Sequence, residues 1–184
     1  FARTSEQNLV SYVNGISDQP FDPTYYNTDE LDPLLRDSLL TLPVGEVFGP
    51  YFEDNAYKLS RVKELQMRPD SVRARHILIG YAEIGDMRRA EEIADSLMTV
   101  IENGGNFNAL AMEYSSDESN RAIGGDLGWF EEGGMETPFN NACFSNETGD
   151  LVKAETRFGV HIIRIENQSR PVEKAQVATI VHTV

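Results

Sequence analysis

The sequence predicts an α+β fold in which helices flank an antiparallel sheet. Apolar and polar residues alternate in short segments such as 72–79, as half-buried strands require. Between these segments, apolar residues recur at helical spacing. From about residue 69 the predicted order is strand, helices, strand, helix, strand, strand. This order indicates one compact α+β domain over residues 69–170.

Length and composition limit the class of protein. The 184 residues are enough for one or two domains, and 40% of them are hydrophobic. A net charge of -14 argues against nucleic acid and against adhesion to acidic membrane surfaces. No apolar run approaches the roughly 18 residues of a spanning helix. Cys143 is the single cysteine, which excludes an internal disulfide and a cysteine-based zinc site.

A strand and two helices are predicted between residues 72 and 114. The segment "VRARHILI" (72–79) alternates and then becomes apolar, as a half-buried strand does. Asp86 is a suitable N-cap for the first helix, and Asn103-Gly104-Gly105 is a suitable end. Asn106 is placed to cap the second helix. The apolar face of the first helix comprises Ala90, Ile93, Ala94, Leu97, Val100 and Ile101, and that of the second comprises Phe107, Leu110, Ala111 and Tyr114.

Three strands and a short helix are predicted in the remainder of the domain. "GDLGWF" (125–130) indicates a short strand entered through glycine. "TPFNNACF" (137–144) indicates a helix with Pro138 in its first turn. "GVHIIRI" (159–165) is strongly β-prone, and "GDLVKAET" (149–156) is its expected antiparallel neighbour.

Residues 1–68 are interpreted as a degenerate, partial copy of the second half of this domain. At an offset of 104 residues, Tyr25-Tyr26 falls on Trp129-Phe130, and Gly45-Glu46-Val47 falls on Gly149-Asp150-Leu151. Turn and strand patterns also recur by chance, so an unrelated block is the alternative. Further matches pair Leu31 with Met135, Leu35 with Phe139, Leu40 with Phe144 and, after a slip of one residue, Lys58 with His161.

The chain begins at Phe1 and ends on the alternating run "AQVATIVHTV". We interpret it as a fragment of a longer protein. Residues 171–184 are expected to form a strand that leads into a truncated following region.

Two of the three histidines lie in apolar strands. His76 precedes Ile77-Leu78-Ile79 and His161 precedes Ile162-Ile163, so neighbouring strands would bring the two rings together. A zinc site would need a third ligand, and the chain has no HExxH motif. It also has no GxSxG nucleophile motif. Satisfied core histidines and a coupled hydrogen-bonded pair both remain open.

The run "SSDESNRAIGGDLGWF" (115–130) combines an aspartate with three glycines. A phosphate-binding loop leads into a helix and usually brings a lysine. Here Gly124-Gly125 and Gly128 flank a short strand, and the nearest basic residue, Arg121, precedes them. The glycines are therefore expected to bend the chain so that Leu127 faces a pocket. Asp117 is either a helix N-cap or a polar group of a site.

These motifs together resemble the parvulin family of peptidyl-prolyl cis/trans isomerases. The resemblance covers about residues 74–166 and rests on five segments in family order. The sequence looks most like bacterial periplasmic foldases of the SurA, PpiD and PrsA kind, some of which carry a degenerate module beside an active one. The segments are "RHIL", "NGGNFNALAMEYSSD", "GGDLGWF", "GGMETPFNNACF" and "RFGVHIIRI".

The resemblance implies a set of site residues and catalysis without a cofactor or metal. The histidine pair and its threonine would orient the site rather than transfer protons. Without the resemblance, Met135 and Phe139, which lie four residues apart, would be interpreted as ordinary core contacts of a short helix. The implied catalytic residues are His76, Asp117, Thr156 and His161, and the implied substrate-binding residues are Leu127, Met135, Phe139 and Phe144.

Two differences from known parvulins lead to expectations about phosphate selectivity and about the activity of residues 1–68. Phosphate-selective relatives have a basic cluster after the first strand, whereas "GYAEIGDM" (80–87) is acidic, so phosphate selectivity is not expected. In residues 1–68, Lys58 stands for the histidine, Glu53 for the threonine and Leu31 for the methionine. This module should therefore be inactive.

The resemblance implies an isomerase that assists the folding of exported proteins. Rotation about a peptide bond costs about 18–20 kcal/mol, and Xaa-Pro isomers exchange slowly. The alternative is a non-catalytic polypeptide-binding module of a periplasmic foldase, and residues 1–68 alone also fit a structural spacer. Expected partners are unfolded or partly folded proline-containing polypeptides, with no nucleic acid and no membrane contact by these residues. We expect a periplasmic parent protein that is anchored to the inner membrane.

Overall fold

The computed structural model describes residues 1, 3–31, 33–39 and 41–184, which form two compact units. Unit 1 comprises Phe1–Arg68 and Val172–Val184, and unit 2 comprises Pro69–Pro171. Unit 2 is thus inserted between two strands of unit 1. Leu40 and the side chain of Leu35, which the repeat hypothesis matches to unit 2, lie outside the described residues.

Helices and antiparallel strands make up both units. None of the helices in the described ranges has the length and apolar character needed to cross a bilayer. The helices are α1 (Glu6–Ile16), α2 (Pro33–Leu39), α3 (Tyr81–Ile84), α4 (Met87–Glu102), α5 (Phe107–Tyr114), α6 (Glu118–Arg121) and α7 (Thr137–Phe144). The strands are β1 (Tyr25–Asn27), β2 (Phe48–Glu53), β3 (Ala56–Arg68), β4 (Ser71–Gly80), β5 (Asp126–Glu131), β6 (Leu151–Thr156), β7 (Gly159–Gln168) and β8 (Val172–Thr183).

The sheet of unit 2 has the strand order β5-β4-β7-β6, and every neighbouring pair is antiparallel. Side chains alternate between the two faces of β4. Ile77 and Ile79 enter a core with α4 and α5, whereas Val72 and Ala74 enter a second core with α7. His76 has the parity of Val72 and Ala74, so it lies on the α7 face of the sheet.

The predicted α+β fold, with its antiparallel sheet and flanking helices, is confirmed for unit 2. The Asp86 side chain accepts hydrogen bonds from the first-turn amides of α4, and Asn106 caps α5 through the amide of Ala109. Two details differ from the prediction. Val100 is 46% exposed, because the buried stripe of α4 runs through Ala90, Ala94, Leu97 and Ile101 instead. Tyr114 is 44% exposed, because the buried residues of α5 are Phe107 and Ala111 instead.

Unit 1 has a sheet of order β1-β8-β3-β2, and α1 packs on it through Leu9 and Val13. The segment 171–184 was expected to form a strand that leads into a following region. It does form a strand, β8, which pairs with β3 from Val172 opposite Arg68 to Thr183 opposite Ala56. The physical reason is its alternating pattern, which buries Ala178 and Ile180 against α1.

Candidate functional site

A cavity of about 590 Å³ opens on the α7 face of the unit 2 sheet. His76 on β4 and His161 on β7 line it from the centre of the sheet, and Thr156 lines it from the end of β6. Asp117 borders it from the start of α6. The structure therefore brings all four residues predicted as catalytic to one cavity.

A chain of hydrogen bonds joins these four side chains. His76 Nε2 lies 2.9 Å from Asp117 Oδ2, and His76 Nδ1 lies 3.0 Å from His161 Nδ1. His161 Nε2 lies 2.8 Å from Thr156 Oγ1. The two imidazole rings are stacked, with centroids 5.3 Å apart and planes 14° from parallel. The coupled pair, rather than two separate core histidines, is what the geometry shows.

The donors in this chain follow from the carboxylate at its end. Ionised Asp117 only accepts, so His76 carries its proton on Nε2 and leaves Nδ1 as an acceptor. His161 must then donate from Nδ1, and its Nε2 accepts from the Thr156 hydroxyl. The amide of Phe158 donates to Thr156 Oγ1 at 3.2 Å, which directs that hydroxyl proton towards His161. Each ring nitrogen of the two histidines then has a hydrogen-bond partner while both imidazoles are neutral.

Burial keeps both histidines neutral. It lowers the pKa of His161 to about 4, and a charge on His76 would lower it further. Burial also lowers the pKa of His76, although Asp117 and Asn120 act in the opposite direction. For Asp117, burial favours the protonated form, but hydrogen bonds from Ser119, Asn120 and His76 outweigh it and leave the pKa lowered. At neutral pH the ionised carboxylate of Asp117 therefore faces a pair of neutral imidazoles.

Asp117 serves both of the roles that the sequence left open. Its Oδ1 accepts the amide of Ser119 at 3.0 Å and caps α6, while its Oδ2 faces His76. The sequence prediction missed Asn120, whose Nδ2 donates to Asp117 Oδ2 at 2.6 Å and lies 3.1 Å from His76 Nε2. An amide three residues after a capping aspartate was the signal for it. Asn120 fixes the carboxylate against the imidazole.

Apolar side chains form the other part of the cavity wall. Leu127, Met135 and Phe139 line it, as predicted. Phe139 presents an edge-on contact to both imidazoles, with centroids 5.7 Å from His76 and 5.1 Å from His161. Phe144 does not line the cavity. It is 2% exposed and packs edge-on against Phe130, because its place at the end of α7 turns it into the core.

Gly125 explains part of the glycine run. It has a φ of 76°, in the left-handed region, and a Cβ there would collide with the backbone carbonyl of His76. The amide of His76 donates to the Gly125 carbonyl at 2.9 Å. The glycine therefore lets the loop approach β4 closely at the residue that carries the first histidine.

Unit 1 contains a smaller cavity, of about 340 Å³, at the corresponding place in its sheet. Leu31, Glu53 and Lys58 line it, and the repeat hypothesis matches these residues to Met135, Thr156 and His161. Lys58 Nζ lies 2.6 Å from Glu53 Oε2, and this hydrogen bond raises the lysine pKa. Thr179 on β8 also lines the cavity and donates or accepts a hydrogen bond with Ser60 at 2.8 Å. An ion pair stands here where unit 2 has His161 and Thr156.

The described residues also bear on metal binding and on thiol chemistry. In the described part of the chain, no three His, Cys, Asp or Glu side chains are grouped so that they could hold a metal ion. Cys143 is fully buried, and burial raises its pKa to about 12. Its thiol is therefore protonated at neutral pH.

Several known chaperones and foldases are similar to parts of this chain. The Chaperone SurA of Chromohalobacter salexigens is 33% identical over 150 residues, which cover 77% of this chain and 34% of that protein. The Foldase protein PrsA of Caldanaerobacter subterraneus is 43% identical over 96 residues, or 52% of this chain and 28% of that protein. The crystal structure of PrsA from Bacillus anthracis is 28% identical, with a TM-score of 0.48, and covers 56% of this chain and 44% of that one.

This chain spans about a third of the length of the SurA chaperones that it matches. The family model of the PPIC-type PPIASE domain matches residues 57–169, which is more than half of the chain. This range contains β4 to β7 and all four residues of the hydrogen-bonded chain that runs from Asp117 through the two histidines to Thr156. The chain therefore belongs to the family of PPIC-type peptidyl-prolyl cis/trans isomerase domains.

Proposed function

We propose that the cavity of unit 2 isomerises Xaa-Pro peptide bonds in unfolded or partly folded polypeptides. The proposal rests on one observation, which is that a single cavity combines the hydrogen-bonded chain of polar side chains (the relay) with a wall of apolar side chains. The relay runs from Asp117 to Thr156, and Leu127, Met135 and Phe139 form the wall. A proline ring is apolar and its flanking amide is polar, so the two parts fit one substrate.

Isomerisation needs no covalent intermediate, since only a peptide bond is rotated. The barrier of about 18–20 kcal/mol comes from loss of amide resonance in the twisted state. A site accelerates rotation by binding the twisted state more tightly than either planar isomer. Removing water from the carbonyl and holding the ring both contribute. The apolar wall supplies the grip, and methionine adapts to varied neighbours.

The polar residues are proposed to differ in role. Asp117 borders the cavity directly and is the proposed contact for the carbonyl region or for the twisting nitrogen. The histidine pair and Thr156 are proposed to fix the position of Asp117 and the shape of the cavity wall. Neutral imidazoles in a fixed hydrogen-bond chain are suited to this positioning role, because no proton has to leave the chain.

A proline-containing tetrapeptide assay on the whole chain tests the function. We expect faster cis/trans exchange with the protein than without it. Asp117→Asn retains a suitable helix cap but removes the charge, and we expect it to lower kcat/KM by about ten-fold or more. Exchange that is no faster than the uncatalysed rate would contradict the proposed function. Exchange that Asp117→Asn leaves unchanged would contradict the role of Asp117 alone.

A second candidate function is polypeptide binding with little catalysis. It is favoured by the cavity of unit 1, where the Lys58–Glu53 ion pair stands in place of the relay. A titration of the whole chain with an unfolded, proline-free polypeptide separates the two functions. Binding without catalysis of any proline peptide would favour this candidate.

The cellular setting is proposed from similarity to SurA chaperones. We propose that the parent protein works in the periplasm, and we predict that it is anchored to the inner membrane. Fractionation of cells that express the full-length parent tests both statements. Recovery in the cytoplasmic fraction would contradict the first, and release from membranes by a simple wash would contradict the second.

A further inference from the structure

The cavity of unit 2 has an acidic rim. Asp117, Glu118 and Glu136 line it, and none of its described lining residues is lysine or arginine. The two histidines are neutral, so they do not offset this charge. A cavity with low-dielectric walls concentrates the field of such charges on whatever enters it.

Only one of these carboxylates has a cationic partner in the described residues. Arg157 Nε lies 2.7 Å from Glu136 Oε1, and its guanidinium stacks over the ring of Phe158 at 4.8 Å. Asp117 accepts only from neutral groups, namely Ser119, Asn120 and His76. Glu118 is exposed in the first turn of α6. Arg121, in the last turn of α6, is not among the residues that line the cavity, so negative charge remains on the α6 side of the rim.

A further carboxylate lies close to this side. A Cβ built on Gly80 would collide with the carboxylate of Glu83 and would lie 2.9 Å from the hydroxyl of Ser116. Ser116 itself lines the cavity, beside Asp117. The carboxylate of Glu83 on α3 therefore lies near Ser116, the neighbour of Asp117 in the cavity lining.

We propose that this site selects clients with lysine or arginine immediately before proline, and that Glu118 is the principal residue that sets this preference. The inference rests on the proposed function, since it concerns the same cavity. The proline ring occupies the wall of Leu127, Met135 and Phe139, and the rotating bond lies beside Asp117. Glu118 directly follows Asp117 and lines the same cavity, so we place the residue on the amino side of that bond beside it.

Coulomb attraction gives the scale of the preference. Two unit charges 4 Å apart in water interact by about 1 kcal/mol, which corresponds to about five-fold in an equilibrium constant. Replacing lysine by glutamate before proline changes attraction into repulsion. We expect kcat/KM to favour the lysine peptide by about ten-fold at low salt, and the ratio to fall as salt screens the charges. A phosphoserine before proline should be the poorest substrate.

The test uses the whole chain and four peptides, Ala-Xaa-Pro-Phe, with lysine, leucine, glutamate or phosphoserine as Xaa. The measured quantity is the lysine-to-glutamate ratio of kcat/KM at low and high salt. Glu118→Gln should reduce this ratio by about three-fold or more. Glu102→Gln is the matched control, because it removes the same charge from an exposed residue outside the cavity lining, and it should leave the ratio unchanged.

The outcomes separate this inference from the proposed function. Catalysis of every peptide with a lysine-to-glutamate ratio near one would overturn the preference and leave the isomerase function standing. Equal loss of the ratio in both glutamate variants would show an effect of net charge and would overturn the assignment to Glu118. Absence of catalysis with all four peptides would overturn both proposals.

Discussion

The two units share a strand order and differ in the side chains on their two central strands. The orders β1-β8-β3-β2 and β5-β4-β7-β6 correspond strand by strand, and α2 precedes β2 as α7 precedes β6. In unit 2 the two central strands carry His76 and His161. In unit 1 the residues at these places are Thr179 and Lys58. One sheet topology therefore supports a neutral imidazole pair in one unit and an ion pair in the other.

Strand register gives this correspondence a physical basis. His76 lies opposite Ile163 in unit 2, and Thr179 lies opposite Ser60 in unit 1. His161 lies opposite Leu78, and Lys58 lies opposite Val181. These matches support the repeat hypothesis for residues 1–68. They also extend it, because β8 supplies the strand that corresponds to β4.

The largest expected difference between the units concerns the first histidine position. His76→Ala leaves the His161 Nδ1–H buried without an acceptor, which costs about 1–3 kcal/mol of stability. It also removes the imidazole that positions Asp117, so we expect isomerase activity to fall by about 100-fold. The matched variant Thr179→Ala removes one hydrogen bond to Ser60 and should leave the activity unchanged. Tetrapeptide assays of both variants, with circular dichroism to check folding, make the comparison.

An intermediate effect is expected from pH, because burial depresses the pKa of His161 to about 4. Above pH 6.5 the histidine is neutral in both states, so it does not alter the free energy of unfolding. Between pH 6.5 and 4 only the unfolded state binds the proton, so unit 2 loses stability as pH falls. The loss is on the order of 3 kcal/mol. Denaturant unfolding followed by Trp129 fluorescence measures it.

The control for this pH effect is His161→Gln, which removes the titrating group. The slope of unfolding free energy against pH should become shallower in the variant over the same range. Equal slopes in both proteins would show that His161 titrates normally in the folded state.

The smallest expected effect is that of the ion pair in unit 1. Lys58→Met removes the partner of the partly buried Glu53 and should cost about 1 kcal/mol, with no change in isomerase activity. Since the lysine pKa is raised in the folded state, its contribution is present below pH 10.5 and is lost as pH rises through the folded pKa. Hydrogen exchange of β3 amides reports on unit 1. Protection that is unchanged in the variant would contradict the stabilising role.

The sequence predicted the parts of unit 2 that depend on short-range patterns. Alternation located β4 and β7, and the polar caps Asp86 and Asn106 located the helix starts. The histidine pair was also predictable, because both residues lie in strands with matching apolar patterns. The contact of Asn120 with Asp117 is signalled by their spacing of three residues, but its position beside His76 was not predictable, since it depends on how α6 folds back onto β4.

The errors also have physical causes. Phe144 was placed in the pocket because a helix pattern does not show which side of a short helix faces a cavity. The place of β8 could not be predicted, because its pairing with β3 joins residues more than 100 positions apart across an inserted unit. Local periodicity carries no information about such pairing.

The central claim is that isomerisation belongs to the cavity of unit 2. The most direct measurement compares kcat/KM for one proline tetrapeptide in the whole chain and in two matched variants, Met135→Ala and Leu31→Ala. These residues correspond in the two cavities. We predict that Met135→Ala lowers kcat/KM by about ten-fold or more, from lost apolar contact with the ring, and that Leu31→Ala leaves it unchanged. A loss in Leu31→Ala that equals or exceeds the loss in Met135→Ala would contradict the claim.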